Sequence, residues 1–233
     1  MKTAIRILVL LMLVLPSTIL AQNYPEKPIR IIVGYTPGGG NDIAARLIAP
    51  KLSEALGQPV IVENKPGAGT NIAQEYVARS APDGYTLMLG SPAITINPSL
   101  YKNLPFDALR DLTGVSMFAF SANLLAVNPS LPAKNVKELI ALAKSKPGKL
   151  TFSSSGKGSS QHLTGELFNL RAKVDTLHVA YKGTAPSMTA LISGEVDMTF
   201  TNIPAALPHI KSGRLRVIAN TSDKRAELLP DMP

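Results

Sequence analysis

The chain has 233 residues, 45 % of them hydrophobic and 17 % charged, enough apolar material for one large domain or two small ones, which excludes a disordered chain. There is no cysteine, so disulfides, thiolate metal sites and a lipid anchor on an N-terminal cysteine are excluded. The formal charge is +8, or +6 without Lys2 and Arg6, but the basic residues are scattered and only six Phe, six Tyr and no Trp are present. That composition offers no stacking platform for nucleic acid and reads as a mild bias towards anionic ligands.

The N-terminus is basic (Lys2, Arg6), then apolar without a break from Ile7 to Leu15, then Pro16, Ser17 and Thr18, with Ala21 before Gln22. This is the pattern of a secretory signal peptide over 1–21, and the run is too short to span a membrane. An exported chain without cysteine suits a bacterial periplasm.

Beyond it, apolar runs of strand length alternate with segments of helix length. The predicted strands are Ile29–Tyr35, Val60–Glu63, Thr86–Leu89, Leu124–Val127, Leu150–Ser153, Thr176–Ala180, Asp197–Thr201 and Arg216–Ala219. The predicted helices are Asp42–Leu56, Ile72–Arg79, Val136–Ser145, Gln161–Leu170, Pro186–Ile192 and Ala205–Lys211. In the first helix, Ile43, Leu47, Ile48, Leu52, Ala55 and Leu56 fall on one face at a 3.6 period. Pro50 lies inside it and predicts a kink or break. Gly57, Gly194 and Gly213 stand where helices end. The repeated β-then-α order gives an α/β fold with mostly parallel strands. Near Ser121–Asn123 the order changes: the strand-like runs Gly114–Phe120 and Leu124–Val127 follow each other without a helix, which predicts a lobe boundary.

Two loops join a strand to a helix in the way anion sites do, with glycine beside unpaired helix N–H groups. One is "TPGGGND" (Thr36–Asp42), where Asn41 is placed to cap the helix and Asp42 to complement its dipole. The other is "SSSGKGSSQH" (Ser153–His162). Enzyme motifs fail on inspection. Gly156-Lys157 is followed by Gly158 rather than Ser or Thr, so there is no P-loop. "GAGTNI" has Ile72 where a dinucleotide fingerprint needs its third glycine. No G-x-S-x-G elbow exists. Ser154 and Lys157 match S-x-x-K, but the intervening Gly-Lys-Gly context is poorly helical and the companion motifs are missing. His162, His178 and His209 are not in H-x-x-x-H spacing. His162 opens a helix beside the serine loop, where it can reach a ligand or simply sit on the helix surface; His178, in an apolar strand, reads as structural. Glu195 and Asp197 read as turn and strand-start residues. Two loops at carboxyl ends of strands, in two lobes, can close over a small anion without catalytic groups.

The stretches "YPEKPIRIIVGYTPGGGND", "LGQPVIVENKPGAGTNIA", "APDGYTLMLG", "LPAKNVKELIALAKSKPGKLTFSSSGKGSSQHLTGELF", "HVAYKGTAPSMTALISGEVDMTFTNIPAALPHIKSGRLRVIANTSDKR" and "LPDMP" resemble the substrate-binding receptors of tripartite tricarboxylate transporters, the Bug or TctC family. The resemblance runs from about Tyr24 to the last residue. It implies a two-lobed periplasmic binding protein of type II-like fold, each lobe a mostly parallel sheet flanked by helices with the ligand between them. It implies a small carboxylate ligand (di- or tricarboxylate, aromatic acid or acidic amino acid), membrane permease subunits as partners, a monomer, no cofactor and no enzymatic activity. It assigns Tyr35, Gly38, Gly39, Asn41 and Asp42 to a first-lobe clamp, Ser154, Ser155, Ser159 and His162 to a second, and Ser91, Tyr181 and Asn202 to the walls. The sequence departs from the family at Asn41, often threonine; at Ala180, where "PYKG" has proline; and at Pro50. The implied layout is a first lobe over 22–122, a second over 123–222, and the start of a return segment over 223–233. Relatives continue past "LPDMP", which predicts a first lobe lacking its usual completion. The alternative is an exported α/β enzyme using a serine of the 153–160 loop on a small anion.

Overall fold

The computed structural model describes residues 24–230; the proposed signal peptide lies outside them. Two sheets are present. The first has the order β2-β1-β3, built from β1 (Ile29–Val33), β2 (Val60–Asn64) and β3 (Thr86–Leu89), all parallel. The second has the order β6-β5-β7-β4-β8, from β4 (Asn123–Val127), β5 (Thr151–Ser154), β6 (Leu177–Ala180), β7 (Met198–Asn202) and β8 (Arg216–Asn220). There β5 pairs in parallel with β6 and β7, while β4 runs antiparallel to β7 and β8. A single reversed strand therefore lies among four that share a direction, and it is the strand that enters the sheet from the first lobe.

Seven helices among the described residues connect these strands: α1 (Gly40–Leu56), α2 (Asn71–Ala78), α3 (Ala93–Leu100), α4 (Val136–Ser145), α5 (Ser160–Ala172), α6 (Thr184–Ser193) and α7 (Ile203–Lys211). The second sheet is covered on both faces. One apolar cluster joins Leu124, Met188, Leu191 and Val217, and the other joins Leu125, Leu139, Phe152 and Phe200. The first sheet has a smaller core of Ile31, Val33, Tyr35 and Ala45. Burial of this kind supplies about 25 cal/mol per Å² of apolar surface, so the second lobe carries most of the hydrophobic stabilisation.

The structure differs from the sequence expectations in five respects. Helix α1 runs unbroken through Pro50, whose ring lies on the exposed side. Its buried stripe is Ala45 and Ala49 with Ile48 and Leu52, whereas Leu47 is 68 % exposed. Small alanines let α1 lie close to β1, so the core stripe is narrower than the large apolar residues suggest. The N-cap is Gly39, not Asn41, which lies within the first turn. Gly114–Phe120 forms no strand: it is irregular and leaves Val115, Met117 and Phe120 exposed. Helix α3 was not foreseen, because Pro98 sits inside it.

Candidate functional site

The loop after β1 is locked from behind by Asp42. Its carboxylate accepts from Gly38 N (2.9 Å), Arg46 Nε (3.0 Å) and Asn64 Nδ2 (2.9 Å). Burial pushes this carboxyl up, but the bonds from Arg46, Gly38 and Asn64 outweigh it and the pKa lies below the usual carboxylate range. Asp42 is 3 % exposed and its oxygens are committed to the loop itself. Gly38 has φ +81°, a left-handed conformation that glycine adopts without strain.

What presses against the three glycines is the other lobe. A Cβ on Gly39 would meet Thr184 at 3.4 Å, and one on Gly40 would overlap the Asn202 amide. From the opposite side, a Cβ on Gly183 would overlap Thr36, whose N–H donates to the Lys182 carbonyl (3.3 Å). Asn202 caps α7, accepting from Ala205 N (3.3 Å). Asn41 donates to the Gly90 carbonyl (3.3 Å). The Tyr35 hydroxyl lies 3.1 Å from Ser91 Oγ, and burial pushes its pKa up while hydrogen bonds with Ser91 and Ser155 oppose the shift. Tyr35 thus reaches from the first lobe to the second.

The second loop follows β5. Ser154 is fully buried, and its Oγ lies 2.7 Å from His178 Nε2 and accepts from Gly156 N (3.1 Å). Ser155 N donates to Gln161 Oε1 (2.7 Å). Ser159 caps α5 by accepting from His162 N (3.2 Å). His162 Nδ1 accepts from Gly158 N (3.3 Å), and its ring lies 4.2 Å from that of His178. Burial lowers the pKa of both histidines: His178 falls to about 4, with His162 adding to the effect, while for His162 the Glu166 carboxylate opposes burial and Lys157 adds to it, leaving its pKa lowered.

Between the lobes lies a cavity of about 210 Å³. Gly34, Gly67–Thr70 and Tyr101 line it from the first lobe; Ser155–Lys157 and Ala180–Lys182 line it from the second. Of the residues chosen from sequence, Ser155 and Tyr181 line this cavity, while Tyr35 touches Ser155 from behind. Gly38, Gly39, Asn41, Asp42, Ser91, Ser154, Ser159, His162 and Asn202 hold the loops or form the seam between lobes. The Tyr181 hydroxyl donates to Glu195 (2.8 Å). No acidic residue lines the cavity.

The cavity segment that the sequence offers only as a failed dinucleotide fingerprint is "PGAGT". Gly67, Ala68, Gly69 and Thr70 all have positive φ, including the two non-glycine residues at +47° and +77°. Backbone held in this way costs roughly 1–3 kcal/mol per strained residue and persists where surrounding structure imposes it. Here the Gly69 carbonyl accepts from Asn97 (2.8 Å) and Thr70 Oγ1 from Gln74 (2.7 Å). A Cβ on Gly69 would overlap the Lys157 carbonyl across the cleft. The signal was present: two glycines follow strand β2, as at the other two loops.

This is the architecture of a two-lobed solute-binding protein, with glycine loops at the carboxyl ends of strands facing a closed cleft. The family model described as tripartite tricarboxylate transporter family receptor matches residues 44–233, and the chain belongs to that family. It is 40 % identical over 215 residues to protein BugT of Bordetella pertussis, covering 91 % of this chain and 66 % of BugT. The chain spans about two thirds of the length of the curated relatives it matches. Among solved structures, R. palustris Rpa4515 with adipate is 39 % identical with TM-score 0.88, over 90 % of this chain and 71 % of that one. MatC from Rhodopseudomonas palustris with bound malate is 30 % identical with TM-score 0.82, over 90 % of this chain and 72 % of that one.

Proposed function

We propose that this chain is a periplasmic receptor that captures a small carboxylate in the interlobe cleft and delivers it to the permease of a tripartite transporter. The observation that carries the reading is the cavity wall: glycine backbone, Ser155, Thr70, two tyrosines and two lysines, with no acidic side chain. Such a wall favours an anion and supplies N–H and hydroxyl donors around it. Two relatives with this fold hold the dicarboxylates adipate and malate, which supports a dicarboxylate here. The receptor acts as a monomer that binds without transforming its ligand.

Thermal shift and calorimetry of the chain against adipate, malate, citrate, benzoate and aspartate test the reading. A ligand at a hundred times its Kd adds about 2.7 kcal/mol and raises Tm. A cooperatively melting chain that responds to none of these acids would overturn it.

A further inference from the structure

Beneath the second-lobe loop lies a cluster that does not line the carboxylate cavity. His162 and Glu166 stand one turn apart on α5, and His178 faces them from β6. A ring nitrogen of each histidine and a carboxylate oxygen of Glu166 all lie within 4.8 Å of one another. We propose that His162, His178 and Glu166 form a site for a divalent transition metal, zinc being the best match.

Two imidazoles and a carboxylate are a zinc donor set that leaves a fourth position for water or an exogenous ligand. His162 Nε2 is 3.7 Å from Glu166 Oε1, close to the ~3.4 Å between donor atoms on a tetrahedral zinc with bonds of about 2.0–2.1 Å. The two rings, 4.2 Å apart and tilted by 33°, must part to the ~5 Å that two imidazoles on one zinc require. His178 is stacked on buried Phe152 (ring centroids 4.8 Å), so it is His162, on the side of exposed Glu166, that must turn to open this separation. The hydrogen bond between His178 Nε2 and Ser154 Oγ (2.7 Å) orients that ring and leaves Nδ1 for the metal, the outer support that metal-ligating histidines normally have. Burial keeps both imidazoles neutral, the form that ligates.

Occupancy has a consequence for the cleft. The Gly158 N–H now donates to His162 Nδ1, so the imidazole proton sits on Nε2. Zinc on Nε2 moves that proton to Nδ1, where two donors face each other and the Gly158 bond is lost. Metal therefore loosens the anchor of the loop that carries Ser155, Gly156 and Lys157 into the cleft.

The test is calorimetric titration of the untagged, chelator-treated chain with zinc chloride in a non-coordinating buffer, and of Glu166→Gln, His162→Gln, His178→Gln and the control His209→Gln. Expected is one saturable equivalent in the wild type and in His209→Gln, weakened at least tenfold in each of the other three. Cobalt(II) in place of zinc should give the visible absorption of a tetrahedral site. Absence of saturable binding would overturn the proposal, as would wild-type affinity in both Glu166→Gln and His162→Gln. Glu166 is exposed and its replacement leaves the fold intact, so Glu166→Gln and His162→Gln together decide the matter even where His178→Gln, which also releases Ser154, does not fold.

Discussion

Ser154 Oγ lies 2.7 Å from His178 Nε2, the separation of a nucleophile and its base, yet Ser154 is fully buried and its oxygen already accepts from Gly156 N. The pair holds the turn at Gly156 rather than facing the cavity, which Ser155 reaches instead. In the receptor reading, Ser154→Ala leaves the Gly156 N–H unpaired and lowers stability by about 1–3 kcal/mol, with a matching fall in Tm. Ser155→Ala removes one of the two hydroxyls that bond Tyr35, which keeps Ser91, so it lowers Tm less than Ser154→Ala does and weakens carboxylate binding by about 0.5–3 kcal/mol. Calorimetry and melting curves of the two variants separate these effects. An enzyme acting through Ser154 would instead show turnover that this substitution abolishes while binding persists.

The elements were largely legible in the sequence, and the seam was not. Helix α4 has the bounds its sequence predicts, Val136 to Ser145, and the structure adds the reason it starts there: Asn135 caps it by accepting from Glu138 N. Strands β1 and β4 were foreseen because buried strands read as unbroken apolar runs. Gly114–Phe120 reads as a strand for the same reason but has no neighbour to pair with among the described residues. Helix α3 was hidden by Pro98. The loops were found by their glycines, but composition does not say what a glycine faces. Gly40 makes room for Asn202 and Gly69 for the Lys157 carbonyl, contacts that depend on the closure of one lobe over the other.

Those contacts predict the behaviour of the lobes. A Cβ at Gly69 would sit 2.4 Å from the Lys157 carbonyl oxygen, and at Gly183 it would sit 2.1 Å from Thr36 Oγ1 and 2.8 Å from Thr36 N. Backbone cannot rotate away as a flexible side chain can. Gly69→Ala and Gly183→Ala should therefore hold the lobes apart, raising the radius of gyration in solution scattering of the carboxylate-saturated chain and weakening that ligand at least tenfold. Gly57→Ala, with nothing within 4 Å of its Cβ, is the control for strain alone, since its φ is +66°. Scattering curves of Gly183→Ala that superimpose on the wild type in the presence of ligand would refute the closure argument.

Asp42 sets an acid limit on the first loop. Its folded pKa lies below the ordinary carboxylate value because the bonds from Arg46, Gly38 N and Asn64 outweigh burial. A depressed carboxylate contributes stability that is present above its unfolded pKa and is lost as pH falls through the folded one. Tm of the wild type should therefore decline from about pH 4 downwards. Asp42→Asn should be less stable at pH 7 and should lose part of that decline. Asp42→Ala leaves Gly38 N and Asn64 Nδ2 without this partner, at a cost of about 2–4 kcal/mol. Parallel Tm–pH curves for wild type and Asp42→Asn would show that this carboxylate does not govern the acid limb.

Lys157 and Lys182 are the cationic side chains of the cavity lining, and neither forms an ion pair among the described residues. Unpaired cations beside a wall without carboxylates raise the local concentration of anions, an effect that salt screens over about 8–10 Å. Lys157→Met and Lys182→Met should each slow association of a dicarboxylate several-fold and flatten its dependence on ionic strength. Lys149→Met, at the far end of β5 from the cleft, should do neither. The comparison of adipate with a monoacid of equal chain length then assigns the effect. If the lysines serve the second carboxylate, both substitutions narrow the preference for the diacid; if they act only through the general field, both acids weaken in proportion to their charge and the preference falls smoothly with added salt. Stopped-flow association rates at two salt concentrations distinguish the two. Unchanged rates in both variants would mean that the backbone and hydroxyl donors of the 67–70 and 155–157 loops bind the anion without help from either lysine.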